Sequence, residues 1–206
     1  MDRQHDWPGS PGRRISIVGC SGAGKTTLAQ ELADLLDLPH VELDALFHQR
    51  DWQPLPKDEF RSRVADALAG ERWIVEGSYR AVRPQVLARA DIQIWLDPSR
   101  FEVMRNLVLR SLSRVLRRTR LWNGNREILR NLLSLDPNRS IILWGWTRHA
   151  LYRQRFRDEH ENPELAGIHR IRLGSRREVR DFLHELRQQA RAGHGTLPPS
   201  QPGTPP

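Results

Sequence analysis

Short apolar runs alternate with amphipathic stretches along the chain, and this pattern predicts strands separated by helices. The run Ile15-Ser16-Ile17-Val18 places a first strand at residues 14–18, and a helical pattern follows at 25–36. A second strand is expected at 40–43, a third at 73–76, a fourth at 92–96 and a fifth at 168–173. A loop at 49–56, punctuated by Pro54 and Pro56, precedes a helix at 57–69 in which Phe60, Val64, Ala67 and Leu68 keep helical spacing. A helix at 81–88 requires Pro84 in its first turn. Helical patterns also cover 100–118, 126–133, 138–160 and 176–192, the last with Ser175 as N-cap. No internal repeat is present.

Strands alternating with helices imply a parallel sheet covered on both faces. Ligands of such sheets bind outside the carboxyl ends of the strands, so the residues just after each strand are the candidates for function. After the first strand comes Gly19-Cys20-Ser21-Gly22-Ala23-Gly24-Lys25-Thr26, then Thr27, which fits the phosphate-binding pattern G-x-x-x-x-G-K-[ST]. Glycines let the backbone curl into an anion nest, and the helix N-terminus adds its positive dipole end. In this pattern Lys25 reaches the β- and γ-phosphates and Thr26 offers a hydroxyl to Mg²⁺. The motif points to a nucleoside triphosphate and is silent on what receives the phosphate.

After the second strand, Asp44 is a candidate for the Mg²⁺ shell or for accepting the proton of an attacking hydroxyl. It also suits the N-cap of a short helix starting at Ala45. His48 reads as an exposed or packed histidine. After the third strand, Gly77 invites a close ligand approach, and Glu76 ends an apolar strand where a lone carboxylate needs a partner, a metal or a substrate. Arg80 and Arg83 are candidates for a substrate anion, with a Glu76–Arg ion pair as the plain alternative. Asp97, after the fourth strand, reads mainly as a turn residue, with a magnesium contact as the other possibility.

Composition narrows the classes. The chain has 206 residues, 38 % hydrophobic and 28 % charged, the profile of a soluble globular protein with one core. No apolar run approaches a membrane span, and the polar stretch 1–12 lacks a signal-peptide pattern, so a cytoplasmic location is expected. Residues 13–192 read as one domain, between a lead at 1–12 and a Pro/Gly-rich tail at 193–206, both expected to be disordered. The single cysteine, Cys20, excludes an intrachain disulfide; beside a helix N-terminus it is either an activated thiol or simply a small residue that fits. The histidines show no zinc-ligand spacing.

The net charge of +8 is uneven: residues 1–99 carry 12 basic and 15 acidic side chains, whereas 100–206 carry 21 and 10. This excess suits either nucleic acid or an arginine-lined site for a polyanion such as ATP. Residues 100–130 hold nine Arg against Glu102 and Glu127. Met104, Val108, Leu112 and Val115 are expected to form the apolar stripe of this helix, with Arg110 and Arg114 on a solvated face. The stretch Thr119 to Glu127 breaks the periodicity around an Asn-Gly turn, which predicts a lid at about 117–130 whose Arg118, Arg120 and Arg126 fold over the triphosphate. Trp144, Trp146, His149 and Tyr152 have the spacing of helix core residues, and by analogy the loop Gly174 to Arg177 borders the nucleotide base.

The segments Gly19–Thr27, His40-Val41-Glu42-Leu43-Asp44-Ala45-Leu46-Phe47, Trp73-Ile74-Val75-Glu76-Gly77-Ser78-Tyr79, Leu121-Trp122-Asn123-Gly124-Asn125-Arg126-Glu127 and Ile171 to Arg176 resemble the P-loop kinase group of adenylate, shikimate and gluconate kinases. More closely, they resemble the adenylate-kinase-like DNA topology modulation (FlaR-like) proteins. The resemblance implies a three-layer P-loop NTPase fold, a parallel five-stranded sheet in the order 2-3-1-4-5, an Arg-rich helical lid, and ATP with Mg²⁺. It implies phosphate binding by Gly24, Lys25 and Thr26, and acceptor and metal-shell contact by Asp44. The expected function is transfer of the γ-phosphoryl group of ATP to a small-molecule or nucleotide acceptor. Catalysis is assigned to Lys25, Asp44, Arg118 and Arg126, acceptor binding to Asp44, Glu76 and Arg80, and metal binding to Thr26 and Asp44. The alternative is a nucleotide-dependent, nucleic-acid-associated protein with little turnover.

Overall fold

The computed structural model describes residues 14–117, 120–125 and 141–194. Five parallel strands form one sheet: β1 (Arg14–Gly19), β2 (His40–Glu42), β3 (Trp73–Glu76), β4 (Ile92–Leu96) and β5 (His169–Leu173), in the order β2-β3-β1-β4-β5. The expected sheet and its order are both found. β1 lies at the centre, with Ile17 opposite Glu76 of β3 and Ile94 of β4. This register brings the end of β1 level with the ends of its two neighbours.

The helices are α1 (Lys25–Leu36), α2 (Leu43–Phe47), α3 (Lys57–Ala67), α4 (Arg83–Leu87), α5 (Arg100–Leu116), α6 (Ile141–Glu161) and α7 (Arg176–His194). Side chains alternate across each strand, and the β-branched runs are buried on both sides. On one face Ile15, Ile17, Ile74, Ile92, Ile94 and Ile171 pack with Leu28 and Leu32 of α1 and Phe182 and Leu186 of α7. On the other, Trp73 and Val75 pack with Phe60 and Val64 of α3 and Val86 of α4. Val18 and Trp95 pack with Phe156 of α6.

That second face also carries a buried polar tie. Arg83 donates to Glu159 at 2.8 and 2.5 Å and to Ser16 Oγ at 2.9 Å, and Gln93 donates to Glu159 at 2.8 Å. A buried charge pair needs such additional partners to offset desolvation. The tie joins β1, β4, α4 and α6, so Arg83 is committed to the fold and the expectation that it holds a substrate anion is overturned.

α5 starts at Ser99, whose hydroxyl accepts the Glu102 N–H. Its fully buried line is Val103, Leu107 and Ser111, one step round from the expected stripe, and Leu112 is exposed. The reason lies in the loop that the helix covers: Asn106 donates to Gly22 O at 3.1 Å and Arg110 to Ser21 Oγ at 3.1 Å. α5 therefore turns one polar edge to the phosphate loop. The expected helix at 126–133 lies outside the described residues.

Candidate active site

The loop after β1 has the expected form. Gly24 has φ 98° and leads into α1, and a Cβ there would point into open space. L-residues rarely adopt this conformation, so glycine keeps both the turn and an open cradle above the helix N-terminus. The first N–H groups of α1 have no intrahelical partner by construction. Lys25 Nζ donates to Cys20 O at 3.2 Å, folding the ammonium back along the loop. Burial pushes the Cys20 thiol up to about 11, and Sγ lies 3.9 Å from His149 O. The activated-thiol reading is therefore overturned; Cys20 is a small side chain that fits.

The carboxylates meet this loop from β2 and β3. Thr26 Oγ1 donates to Glu76 Oε1 at 2.7 Å. Burial raises the Glu76 pKa, opposed by Lys25 and the Thr26 hydrogen bond and reinforced by Asp44 and Glu42. Among the described residues Glu76 thus pairs with the loop hydroxyl and with no arginine. Asp44 lies inside the first turn of α2, not at its N-cap, and accepts from Tyr79 OH at 2.6 Å. His48 Nε2 lies 3.3 Å from the same hydroxyl. Desolvation lowers the His48 pKa and raises that of Tyr79, so both are neutral at physiological pH.

Gly77 has φ 135°, and a Cβ there would meet Leu43 at 2.8 Å. The close approach at this glycine is made by the start of α2, which corrects the expectation of a ligand. Arg80 is exposed at the end of this turn. Arg155 of α6, half-buried, reaches Ser78 O at 3.5 Å. Asp97 is buried between Arg153 at 2.8 Å and Arg172 at 2.5 Å, so it anchors α6 and β5 and the magnesium possibility falls away.

The arginine-rich region divides differently from expectation. Arg110, assigned to a solvated face, touches Ser21 of the phosphate loop. Arg118 and Arg126 lie outside the described residues, and Arg120 is exposed. The Asn-Gly turn forms as a short 3-10 turn, Trp122–Gly124. It docks against the segment from β2 to the 3-10 turn at 50–52: Trp122 Nε1 donates to Glu42 at 2.7 Å, Asn123 to His48 O at 2.6 Å and Asn125 to Gln49 O at 2.8 Å. Asn125 also accepts the Trp52 N–H at 3.0 Å.

The helical aromatics of α6 also split. His149 is buried and Tyr152 packs beside Phe156, whereas Trp146 is half-exposed under the Arg100 guanidinium, 3.6 Å from the ring centre. Trp144 lies among residues whose side chains are not described. The loop after β5 is closed by a capping box in which Ser175 accepts the Glu178 N–H and Glu178 accepts the Gly174 N–H. Arg176 binds Glu102 and Asn106, so this loop is tied to α5.

Among the described residues no group of three acidic, His or Cys side chains is arranged to hold a metal. Mg²⁺ beside nucleotide phosphates needs only one or two carboxylates or hydroxyls from the protein, so Thr26 with Glu76 or Asp44 fits that demand. Sequence reasoning missed Glu42, Trp52, Tyr79, Arg110, Asn125 and Arg155 as site residues. Glu42 alone carried a signal, an acidic side chain at a strand end two residues before Asp44.

No family model matches the chain. A shikimate kinase of Prochlorococcus marinus is 29 % identical over 122 residues, covering 52 % of this chain and 64 % of the relative. A cytidylate kinase of Nitratidesulfovibrio vulgaris is 34 % identical over 65 residues, covering 31 % of this chain and 28 % of the relative. The match therefore spans less than two thirds of either relative. Among solved structures, shikimate kinase from Acinetobacter baumannii in complex with shikimate aligns with 90 % of this chain and 96 % of its own, at 17 % identity and a TM-score of 0.49.

Proposed function

We propose that the protein is an ATP-dependent kinase that transfers the γ-phosphoryl group to a hydroxyl or phosphate of a small-molecule or nucleotide acceptor. The observation that carries this reading is the 2.7 Å hydrogen bond from Thr26 of the phosphate loop to Glu76, with Asp44 beside it. It joins a triphosphate cradle to a carboxylate cluster at the carboxyl ends of neighbouring strands. The kinase relatives support the same class.

Gly22, Gly24 and the N-terminus of α1 cradle the phosphates. Lys25 exchanges the Cys20 carbonyl for phosphate oxygens, and Arg110 supports the loop from above through Ser21. Bound Mg²⁺ supplies charge neutralisation on the phosphates, and Thr26 with Glu76 or Asp44 would hold its shell. Asp44, fixed by Tyr79, takes the proton of an acceptor hydroxyl as its oxygen bonds to the γ-phosphorus and the bond to ADP breaks. Arg80 follows the Ser78 turn and Arg155 reaches Ser78 O, and in this reading both would face the transferring group. Catalysis in this arrangement is positioning and charge stabilisation.

The nucleic-acid alternative draws less support from the same side chains. Arg153 and Arg172 pair with Asp97, Arg176 with Glu102 and Arg187 with Glu31, which reduces the free positive charge that these four present. No helix among the described residues is long and apolar enough to cross a membrane. A coupled ADP-release assay over nucleosides, nucleoside monophosphates, sugar acids and polyols tests the proposal. Lys25→Ala should abolish any acceptor-stimulated release, and release that survives this change overturns the reading.

A further inference from the structure

α5 reaches the phosphate loop with Arg110, which touches a side chain, and with Asn106, which grips the backbone. Cys20 to Ala23 form a tight turn in which the Ala23 N–H donates to Cys20 O at 3.1 Å. Gly22, the third residue of that turn, has φ 87°, the positive φ that a type II turn requires there. The back of the turn presses on α5: a Cβ on Gly22 would meet Val103 O at 2.7 Å and Leu107 Cβ at 3.3 Å. In this narrow seam Asn106 donates its amide N–H to Gly22 O at 3.1 Å.

A trans peptide points its C=O and its N–H in opposite directions. The N–H of the Gly22–Ala23 peptide meets Cys20 O, the same oxygen that accepts from the Lys25 ammonium at 3.2 Å. Its C=O points the other way, to Asn106. We propose that Asn106 is a positioning residue for triphosphate binding, one that keeps this peptide turned with its N–H toward Lys25 and its oxygen away from the phosphates. Turned over, the peptide would set a carbonyl oxygen on the side where Lys25 draws phosphate oxygens. Glycine at position 22 resists such a turn weakly, because it visits both signs of φ readily. The hydrogen bond from Asn106 supplies the resistance that the loop itself lacks.

Two one-way partners set the direction of the Asn106 amide. Arg176 donates to Asn106 Oδ1, and a guanidinium has no acceptor. Gly22 O accepts, and a carbonyl has no donor. The amide nitrogen therefore belongs on the loop side, since reversal would set donor against donor and acceptor against acceptor. Arg176 is held in turn by Glu102, one turn before Asn106 on α5, at 2.9 Å. An amide serves both partners of residue 106 at once; a carboxylate serves Arg176 alone, and an alkyl group serves neither.

The inference rests on the triphosphate half of the kinase reading, and its test needs no phosphoryl transfer. The full chain is titrated by calorimetry with a non-hydrolysable ATP analogue and Mg²⁺, and amide exchange of the unliganded chain is followed by NMR. Asn106→Leu keeps bulk and neutrality and removes the donor. It should weaken analogue binding about three- to tenfold and speed exchange of the Ala23 amide by a similar factor, the worth of one hydrogen bond. Exchange at Ile17 of β1 should not change. Asn106→Gln, which keeps the amide, should recover most of both effects. Should the leucine variant not fold, Asn106→Ala takes its place.

Unchanged analogue affinity, unchanged Ala23 exchange, or a glutamine variant no better than the leucine or alanine one overturns the assignment. Equal acceleration at Ala23 and Ile17 also overturns it, since that marks a general loosening of the fold. A wild type that binds no analogue up to about 10 mM removes the triphosphate reading, and this assignment with it. Analogue binding that follows the expected order, with no ADP release for any acceptor, sinks the kinase reading and leaves the role of Asn106 standing.

Discussion

The two halves of the candidate site are built on different principles. The donor half is local: eight consecutive residues, Gly19 to Thr26, curl at the end of one strand and the start of one helix. Its chemistry is mostly backbone N–H and a helix terminus, so a short motif suffices to encode it. The acceptor half is assembled from residues 42–52, 76–80 and 121–125, joined by side-chain hydrogen bonds such as Trp122 to Glu42 and Asn123 to His48. A half made of backbone tolerates few sequences and is easily read. A half made of side chains from distant segments can change its ligand by exchanging a few of them.

If the halves are separable in this way, damage to one should leave the other working. The largest separation is expected from Asp44→Asn, which removes the proposed proton acceptor and leaves the loop intact. It should lower kcat about 10²- to 10⁴-fold with the KM for ATP unchanged, measured by steady-state ADP release. A parallel loss of ATP affinity would show that the halves form one unit.

Next in size is the polar tie beneath both halves. Arg83→Ala leaves Glu159 buried without its partner and should destabilise the fold by about 3–5 kcal/mol, read from chemical denaturation. The loss should be global, because Arg83 joins the central strand to α6.

A smaller effect is expected at the seam, where Glu76 touches Thr26. The fold raises the Glu76 pKa through burial, so it favours the neutral form. The stability this gives is fully present below the ordinary glutamate pKa and is lost as pH rises through the raised one. Glu76→Gln keeps the shape without the charge. Melting temperatures from about pH 4 to about pH 8 should show this decline in the wild type and not in the variant. An equal decline in both would remove Glu76 as its source.

The smallest effect concerns Cys20. With the thiol pushed up to about 11, alkylation at neutral pH should be far slower than for an exposed cysteine, by iodoacetamide labelling. Fast labelling would mean that the donor loop opens more readily than its hydrogen bonds indicate.

The strand positions were legible because Ile15, Ile17, Ile74, Ile92 and Ile94 are buried in a parallel sheet, which demands nearly continuous apolar runs. Lys25, Thr26 and Asp44 were legible because they follow those runs directly. Arg83 and Arg110 were misread for a common reason: an arginine on a helix looks the same in sequence whether it meets solvent, a buried glutamate or a loop hydroxyl. Asn125 was invisible because its partners, Trp52 and Gln49, are more than seventy residues away. The apolar stripe of α5 was displaced because the surface it covers is a glycine loop, which leaves no apolar signature of its own.

The central place of β1 bears on how the protein is made. β1 pairs with β3 and β4 and with neither β2 nor any nearer segment, so its nearest strand partner begins at Trp73. A ribosome must therefore synthesise the whole of α1, β2, α2 and α3 before the strand that ends in the phosphate loop can be hydrogen-bonded on either side. Non-local pairing of this kind slows folding and leaves intermediates exposed. The stretch that is simplest to find in the sequence is thus among those that wait longest for their shape, and a nascent chain halted before Glu76 should not yet bind nucleotide.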